Sequence, residues 1–281
     1  NTLSDPRILD MCIPVIYGSA KVAAYYRKVL NLNNIVINSV RSVDEIHPKR
    51  PNLVNCVDDN VKVELGKATP MAGEAAFVAL EQAVSDLKAG KIDVLVTAPI
   101  NKFDIQSDKF NYKGHTDYLQ AKFNVPEVVM FMVSDIMRVG LVCEHVPLSQ
   151  VPKYITRDRI LSKLKIINES LLADFVVTNP KIAVLGLNPH AGDNGLLGNE
   201  ENEIIVPAIE AAQQAGIYAF GPFAADGFFG SGQFTQFDAI LAMYHDQGLS
   251  PFKALTAGQG VNFTAGLPVI RTSPAHGTAY D

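Results

Sequence analysis

The sequence lacks several features that would define its partners. It has no apolar run near the ~20 residues that a membrane-spanning helix needs, and from its first residues we expect no secretory leader. It has no cluster of basic residues, since 24 Lys and Arg are outnumbered by 29 Asp and Glu. Nucleic-acid surfaces need clustered Lys and Arg to neutralise phosphates. We therefore expect neither a membrane nor a nucleic acid as a partner.

Cysteine is also scarce, with only Cys12, Cys56 and Cys143. An odd and sparse set does not build a disulfide framework. Disulfides are rare in reducing compartments, so a chain without a disulfide framework is expected to be a cytoplasmic protein. Cys143 falls inside an apolar run, which predicts a core thiol.

The residues that are present favour a folded α/β protein. Of the 281 residues, 48% are hydrophobic and 19% are charged, which suits one large or two modest domains with a real core. Apolar runs alternate with amphipathic stretches, as in βα units. Strands are predicted at 13–17, 92–97, 128–133, 138–143, 182–187 and 239–243, with the run at 92–97 buried. Helices are predicted at 19–30, 76–87, 156–171 and 200–215. The short turn at Ser134 and Asp135 predicts an antiparallel pair within a mixed sheet.

Three of the six histidines follow an apolar strand directly: His145, His190 and His245. In open α/β sheets, ligands bind outside the carboxyl ends of the strands. Three imidazoles delivered there could converge on one divalent metal with an open position, the pattern of a catalytic site. The alternative for each is an ordinary hydrogen-bonded surface histidine, and spacing alone does not decide between the two.

Two further segments are candidates for ligand binding. The glycines of 192–198 permit close approach of a ligand to the backbone, although a flexible surface loop explains them equally well. This loop matches neither GxGxxG nor a Walker motif. Downstream, Lys253, Asn262 and Arg271 could hold a phosphorylated or carboxylated substrate. The alternative for each cation is simple exposure to solvent.

Five motifs together resemble the 4-hydroxythreonine-4-phosphate dehydrogenase family over essentially the whole chain. They are Thr97-Ala98-Pro99-Ile100-Asn101-Lys102, Gly114-His115-Thr116-Asp117, Leu187-Asn188-Pro189-His190-Ala191-Gly192, Ala242-Met243-Tyr244-His245-Asp246-Gln247-Gly248, and Gly266-Leu267-Pro268 running into Arg271-Thr272-Ser273.

The resemblance implies a fold like that of isocitrate and isopropylmalate dehydrogenases. Two α/β lobes flank a cleft and a mixed sheet, with soft boundaries near 1–100 plus 180–281 and 101–179. It implies a homodimer with its active site at the subunit interface. Relative to the family pattern, residues 1–281 form one two-lobed unit that is expected to be incomplete at both ends. Asp226-Gly227 departs from the family, in which a hydroxyl residue often follows the Asp, so one substrate hydrogen bond is in doubt.

The resemblance also implies roles for individual residues. The metal ligands are His145, His190 and His245, for zinc foremost, with cobalt or magnesium as alternatives. The substrate-binding positions are His115, Thr116, Lys253, Asn262 and Arg271. The segment from His276, Gly277 and Thr278 to Asp281 resembles the one that holds the adenosine of NAD, without a Rossmann domain.

The implied reaction is oxidation and decarboxylation of 4-phosphooxy-L-threonine to 3-amino-2-oxopropyl phosphate in vitamin B6 synthesis. Asp246 and Lys253 are candidates for the general base because they flank a metal ligand, although Asp246 could instead orient that histidine. Two alternatives stay open. One is a sibling dehydrogenase of threonate or erythronate 4-phosphate, and the other is a three-histidine zinc hydrolase. A hydrolase has no reason to carry the segment 276–281.

Overall fold

A computed structural model describes residues 2–32, 34–58 and 60–278 of the chain. Within them the chain forms two compact units, one of residues up to Tyr118 together with 276–278, and one of Leu119–Ala275. Strands from residues 129–141 and 181–274 share one sheet, and the lobe boundaries expected from the resemblance stay a prediction. The two lobes, with their cleft, therefore remain a proposal.

The first unit has a small parallel sheet in the order β1-β3-β2. Ser19 and Thr69 cap the helices that follow β1 and β3, each accepting a hydrogen bond from the first helical turn. The elements are α1 (Arg7–Met11), β1 (Val15–Gly18), α2 (Ala20–Val29), β2 (Asn38–Val40), β3 (Asn52–Asn55), α3 (Pro70–Lys88), β4 (Val94–Val96) and the start of α4 (His115–Phe123).

The expectation of a buried strand at 92–97 is wrong for two of the three residues of β4. Leu95 is 7% exposed, but Val94 is 52% and Val96 is 70% exposed. Successive side chains of a strand point to opposite faces, and in the described structure only the face of Leu95 is covered. An apolar run does not reveal whether one face or both will be covered.

The second unit is built on a mixed sheet in the order β11-β10-β5-β6-β9-β7-β8. The first four strands are antiparallel neighbours, and β6, β9, β7 and β8 run parallel. The elements are β5 (Val129–Val133), β6 (Arg138–Leu141), α5 (Val151–Tyr154), α6 (Arg157–Ala173), β7 (Lys181–Leu185), α7 (Val206–Gln214), β8 (Tyr218–Phe223), α8 (Ala225–Gly230), β9 (Ala239–Ala242), α9 (His245–Thr256), β10 (Val261–Ala265) and β11 (Ile270–Pro274). The predicted mixed sheet and the antiparallel β5–β6 pair are confirmed.

The central strand β9 of this sheet is buried on both faces. Along β9, Ala239 and Leu241 join one apolar cluster, whereas Ile240 and Ala242 join another. The predicted face of α6 lies in the first cluster, with Ile160, Leu164, Ile167 and Leu171 each 0% exposed. Where parallel strands are buried on both faces, their carboxyl ends are the place for ligands.

The region 200–215 departs from the single predicted helix. Residues Glu201–Ile205 form one π-helical turn, and α7 continues from Val206. Apolar periodicity does not distinguish a π turn from an α turn, and such turns are frequent at functional sites. Among the described residues, no helix combines the length and apolar character that a membrane crossing requires.

Candidate active site

The three strand-end histidines follow three adjacent parallel strands, because β6, β9 and β7 are neighbours in the sheet. His145 comes four residues after β6, His190 five after β7, and His245 opens α9 three residues after β9. The carboxyl ends of parallel neighbours share one edge of the sheet. The topology therefore brings all three segments to that edge.

Two of the three imidazoles lie close together. The ring centroids of His145 and His245 are 5.8 Å apart. Both rings line a cavity of about 490 Å³ together with Glu144, Tyr244 and Asp246. Because imidazole nitrogens are good ligands for zinc and cobalt, the chemistry of this pair fits a divalent metal.

His190 lines a second cavity of about 490 Å³, with Asp226, Phe229, Tyr244 and Gln247. Tyr244 lines both cavities. Across the described ranges, no three His, Cys, Asp or Glu side chains are placed to hold a metal together. The three-histidine metal site therefore stays a prediction, with one chain bringing two of its ligands together.

Asp246 contacts the histidine beside it. One of its carboxylate oxygens lies 2.7 Å from His245 Nδ1. This contact leaves Nε2 of His245 to face a ligand, and a carboxylate in this place orients a metal-bound imidazole. The geometry favours orientation over general-base catalysis for Asp246.

Lys253 lies on α9, eight residues after His245, and is exposed. At 1.5 Å per helical residue, about 12 Å separates the two along the helix axis. Its roles in catalysis and substrate binding stay predictions.

Gln247 joins the ends of two strands. Its Oε1 accepts a hydrogen bond from Met243 N (2.7 Å), and its Nε2 donates one to Gly186 O (2.6 Å). This amide fixes the segment before His245 against the segment before His190. Sequence reasoning missed this role, because a hydrogen bond between non-adjacent segments leaves no local pattern.

Asn262 and Arg271 lie on one face of the β10–β11 pair. Asn262 pairs with Ser273 and Phe263 with Thr272, so Thr264 comes opposite Arg271. Arg271 is 3% exposed and donates to Thr264 Oγ1 at 2.9 Å. Burial lowers the pKa of its guanidinium from its ordinary value to about 10. Within the described part of the chain, Asn262 Oδ1 is buried and has no hydrogen-bond partner, so a ligand could use it.

The remaining predicted site residues belong to the first unit. His115 and Thr116 open α4, and both are partly buried. His276 is exposed, and its Nδ1 lies 2.9 Å from Gly277 O. Asp281 lies outside the described residues. The roles of these residues stay predictions.

Cys143 is confirmed as a core thiol. It is 1% exposed, and its Sγ donates to Met243 O at 3.2 Å. Burial raises the pKa of this thiol, so it is a poor nucleophile at neutral pH.

A mixed sheet with paired imidazoles at the carboxyl edge of its parallel strands defines an α/β protein with a candidate ligand site at that edge. The chain belongs to the family described as pyridoxal phosphate biosynthetic protein PdxA, whose model matches residues 10–281.

Relatives and solved structures place it among dehydrogenases. The chain is 54% identical to a 4-hydroxythreonine-4-phosphate dehydrogenase from Bacteroides thetaiotaomicron, over 100% of this chain and 77% of that protein. It is 37% identical to an Oceanobacillus iheyensis protein named provisionally as a D-threonate 4-phosphate dehydrogenase, over 100% and 85%. The crystal structure of a 4-hydroxythreonine-4-phosphate dehydrogenase from Burkholderia phymatum matches with a TM-score of 0.84 and 34% identity, over 100% of this chain and 85% of that one. The chain is thus an oxidoreductase of this family.

Proposed function

We propose that this protein oxidises and decarboxylates 4-phosphooxy-L-threonine to 3-amino-2-oxopropyl phosphate, using NAD and a divalent metal, as a homodimer. The observation that carries the proposal is the His145–His245 pair at the strand ends of a PdxA-family sheet, 5.8 Å between ring centroids. A fold with two isocitrate dehydrogenase-like lobes, and a cytoplasmic location, form part of the same proposal.

Each of the predicted site residues has its own role in this reaction. His145, His190 and His245 would hold the metal, which supplies Lewis-acid polarisation of the substrate hydroxyl when bound. Asp246 orients His245. Arg271 and Asn262 bind the anionic end of the substrate, with Lys253 as a further cation. NAD, when bound, would supply the acceptor for the hydride from C3, and a base of the site would take the hydroxyl proton; the resulting β-keto acid would then release carbon dioxide.

The direct test is NADH formation by the purified protein with 4-phosphooxy-L-threonine, with and without a chelator. Turnover that stops with chelator and returns with zinc or cobalt is expected. No turnover with any divalent metal would contradict the proposal. Hydrolysis of the phosphorylated substrate without NADH would instead favour the three-histidine zinc hydrolase.

A second candidate substrate is threonate 4-phosphate, favoured by the name of the Oceanobacillus iheyensis relative. It replaces the C2 ammonium of the first substrate with a hydroxyl. Asp226 offers a feature that discriminates between them, because its exposed carboxylate lines the cavity of His190. A carboxylate there favours the substrate that carries an ammonium.

Replacing Asp226 with Asn is expected to lower the preference for the amino substrate over the hydroxy substrate by about fivefold. That is the scale of an exposed ion pair worth about 1 kcal/mol. The measurement is the ratio of kcat/KM for the two substrates. Asp135→Asn, an exposed acid at the β5–β6 turn, is the matched control. An unchanged ratio would remove Asp226 from substrate selection.

We also propose that NAD lies against His276, Gly277 and Thr278 and that Asp281 hydrogen-bonds the adenosine. An acid there disfavours the 2′-phosphate of NADP. Calorimetric titration is expected to show tighter binding of NAD than of NADP.

Asp281→Ala is expected to weaken NAD binding about tenfold, the scale of one charge-assisted hydrogen bond. Asp93→Ala, an exposed acid of the first unit, is the control. Equal NAD affinity in both variants would rule out this placement.

A further inference from the structure

The backbone around His190 is held in an unfavourable conformation. Six consecutive residues have positive φ: His190 (54°), Ala191 (51°), Gly192 (81°), Asp193 (42°), Asn194 (55°) and Gly195 (94°). Residues with a Cβ rarely adopt the left-handed region, and almost never in succession. Such a run persists only where the surroundings enforce it. Some part of the structure must therefore hold this turn.

The side chain of Glu201 binds the backbone at the start of this turn. The residue is 2% exposed. Its Oε1 accepts hydrogen bonds from the backbone N–H groups of Leu187 and Asn188, both at 2.7 Å. Its Oε2 accepts one from Asn188 Nδ2 at 3.0 Å. A buried carboxylate is costly unless it is hydrogen-bonded, and these three donors offset that cost.

Glycines let the same carboxylate contact the turn further along. A Cβ at Gly192 would come within 2.6 Å of Glu201 Oε2, and one at Gly186 within 3.1 Å of Oε1. The carboxylate thus fits between the residue that ends the strand segment and the middle of the left-handed run. The missing side chains of Gly186 and Gly192 therefore make room for a side chain of the protein itself, the carboxylate of Glu201.

We propose that Glu201 is a positioning residue that fixes the direction of the His190 imidazole for the reaction. The inference rests on the proposed function in one respect only, that His190 takes part in the site. Glu201 lies in the π-helical turn before α7, so its backbone is anchored by buried Ile205 and Ala208. Through its hydrogen bonds and close contacts, the carboxylate holds residues 187–192 in place relative to α7.

The first test is Glu201→Gln, which keeps the shape of the side chain. Its Nε2 would meet Asn188 Nδ2, so two donors would face each other where donor and acceptor now meet. We expect kcat per folded enzyme to fall about 10- to 100-fold, the range for groups that orient a metal ligand, with KM changed much less. Glu203→Gln makes the same change at an exposed position of the same turn and is expected to leave kcat unchanged.

The second test leaves Glu201 intact and disturbs the turn from the other side. Gly192→Ala places a methyl group against Oε2 and requires positive φ of alanine. We expect it to reproduce the kcat loss of Glu201→Gln. In both variants the amides of Leu187 and Asn188 should exchange hydrogen faster, and the ring ¹⁵N signals of His190 should shift. These two measurements need no substrate, so they test the positioning even where turnover fails.

The outcomes separate the alternatives. Folded variants with wild-type kcat, or with unchanged His190 ring signals and amide exchange, would overturn the inference. A loss of activity that follows the folded fraction alone would do the same, as would failure of both variants to fold, because Glu201 would then be a folding requirement. Inactive wild-type protein with the expected exchange and ring shifts would contradict the proposed function and leave the positioning intact.

Discussion

Replacing either His145 or His245 with alanine is expected to lower kcat/KM by about a thousandfold or more. The Lewis-acid contribution of a catalytic metal is worth several kcal/mol, and each 1.4 kcal/mol is a factor of ten in rate. The two rings, 5.8 Å apart, are expected to share one ion. The measurements are steady-state kinetics and bound metal per chain. His47→Ala, an exposed histidine of the first unit, is the control and should change neither quantity.

His190 decides whether the site is shared between subunits. In the chain it lies in a different cavity from the pair, so in a homodimer it can join a metal site with ligands of the partner subunit. Mixing inactive His190→Ala and His245→Ala proteins should then restore about a quarter of wild-type activity. Half of the randomly formed dimers are mixed, and each has one intact site. Absence of restored activity in verified mixed dimers would place all ligands within one subunit. Full activity in the single variants would remove the metal site altogether.

The parts of the fold that follow from local pattern were predicted correctly. The face of α6 that includes Ile160 and Leu164 was readable because helical periodicity is local, and both side chains are 0% exposed. The antiparallel β5–β6 pair followed from the short turn between the two strands. The exposed side chains of β4 and the π turn at Glu201 were not predictable. The first depends on what covers each face, and the second on hydrogen bonds that hydrophobicity does not report.

The candidate site was also predictable only in part. Placement of His145, His190 and His245 at strand ends followed from apolar runs and the general rule for α/β sheets. The proximity of His145 and His245 did not, because it requires β6 and β9 to be neighbours although β7 lies between them in the sequence. Glu201 and Gln247 were missed because Glu201 binds backbone groups 13 and 14 residues away and Gln247 binds Gly186, 61 residues away along the chain.

Arg271→Lys is expected to lower kcat/KM for the phosphorylated substrate by about 10- to 150-fold. The change keeps the charge but loses the planar fork that binds an oxyanion through two parallel hydrogen bonds. A charge-assisted hydrogen bond is worth about 1.5–3 kcal/mol, which converts to that range. The loss should appear mainly in KM, because the anion is bound in the ground state as well as in the transition state.

A structural role is the competing explanation, because Arg271 is 3% exposed and donates to Thr264. With its pKa lowered by burial to about 10, the group remains protonated at neutral pH. Because the pKa of this group is lower in the folded chain than in the unfolded chain, the buried cation costs stability below pH 10, and that cost falls as the pH rises above 10 towards the ordinary pKa of the group. The protein therefore retains a charged group at a buried position despite its cost in stability.

Arg138→Lys separates the two explanations. Arg138 lies on β6 of the same sheet, donates to Asp238 O at 3.2 Å and stacks over Phe175 at 4.9 Å. Both variants should lower the unfolding temperature, but only Arg271→Lys should raise KM per folded enzyme. Inorganic phosphate should protect wild-type protein against thermal unfolding and protect Arg271→Lys much less. If both variants lose stability to the same extent and keep wild-type KM, Arg271 holds the sheet together and the anion is bound elsewhere.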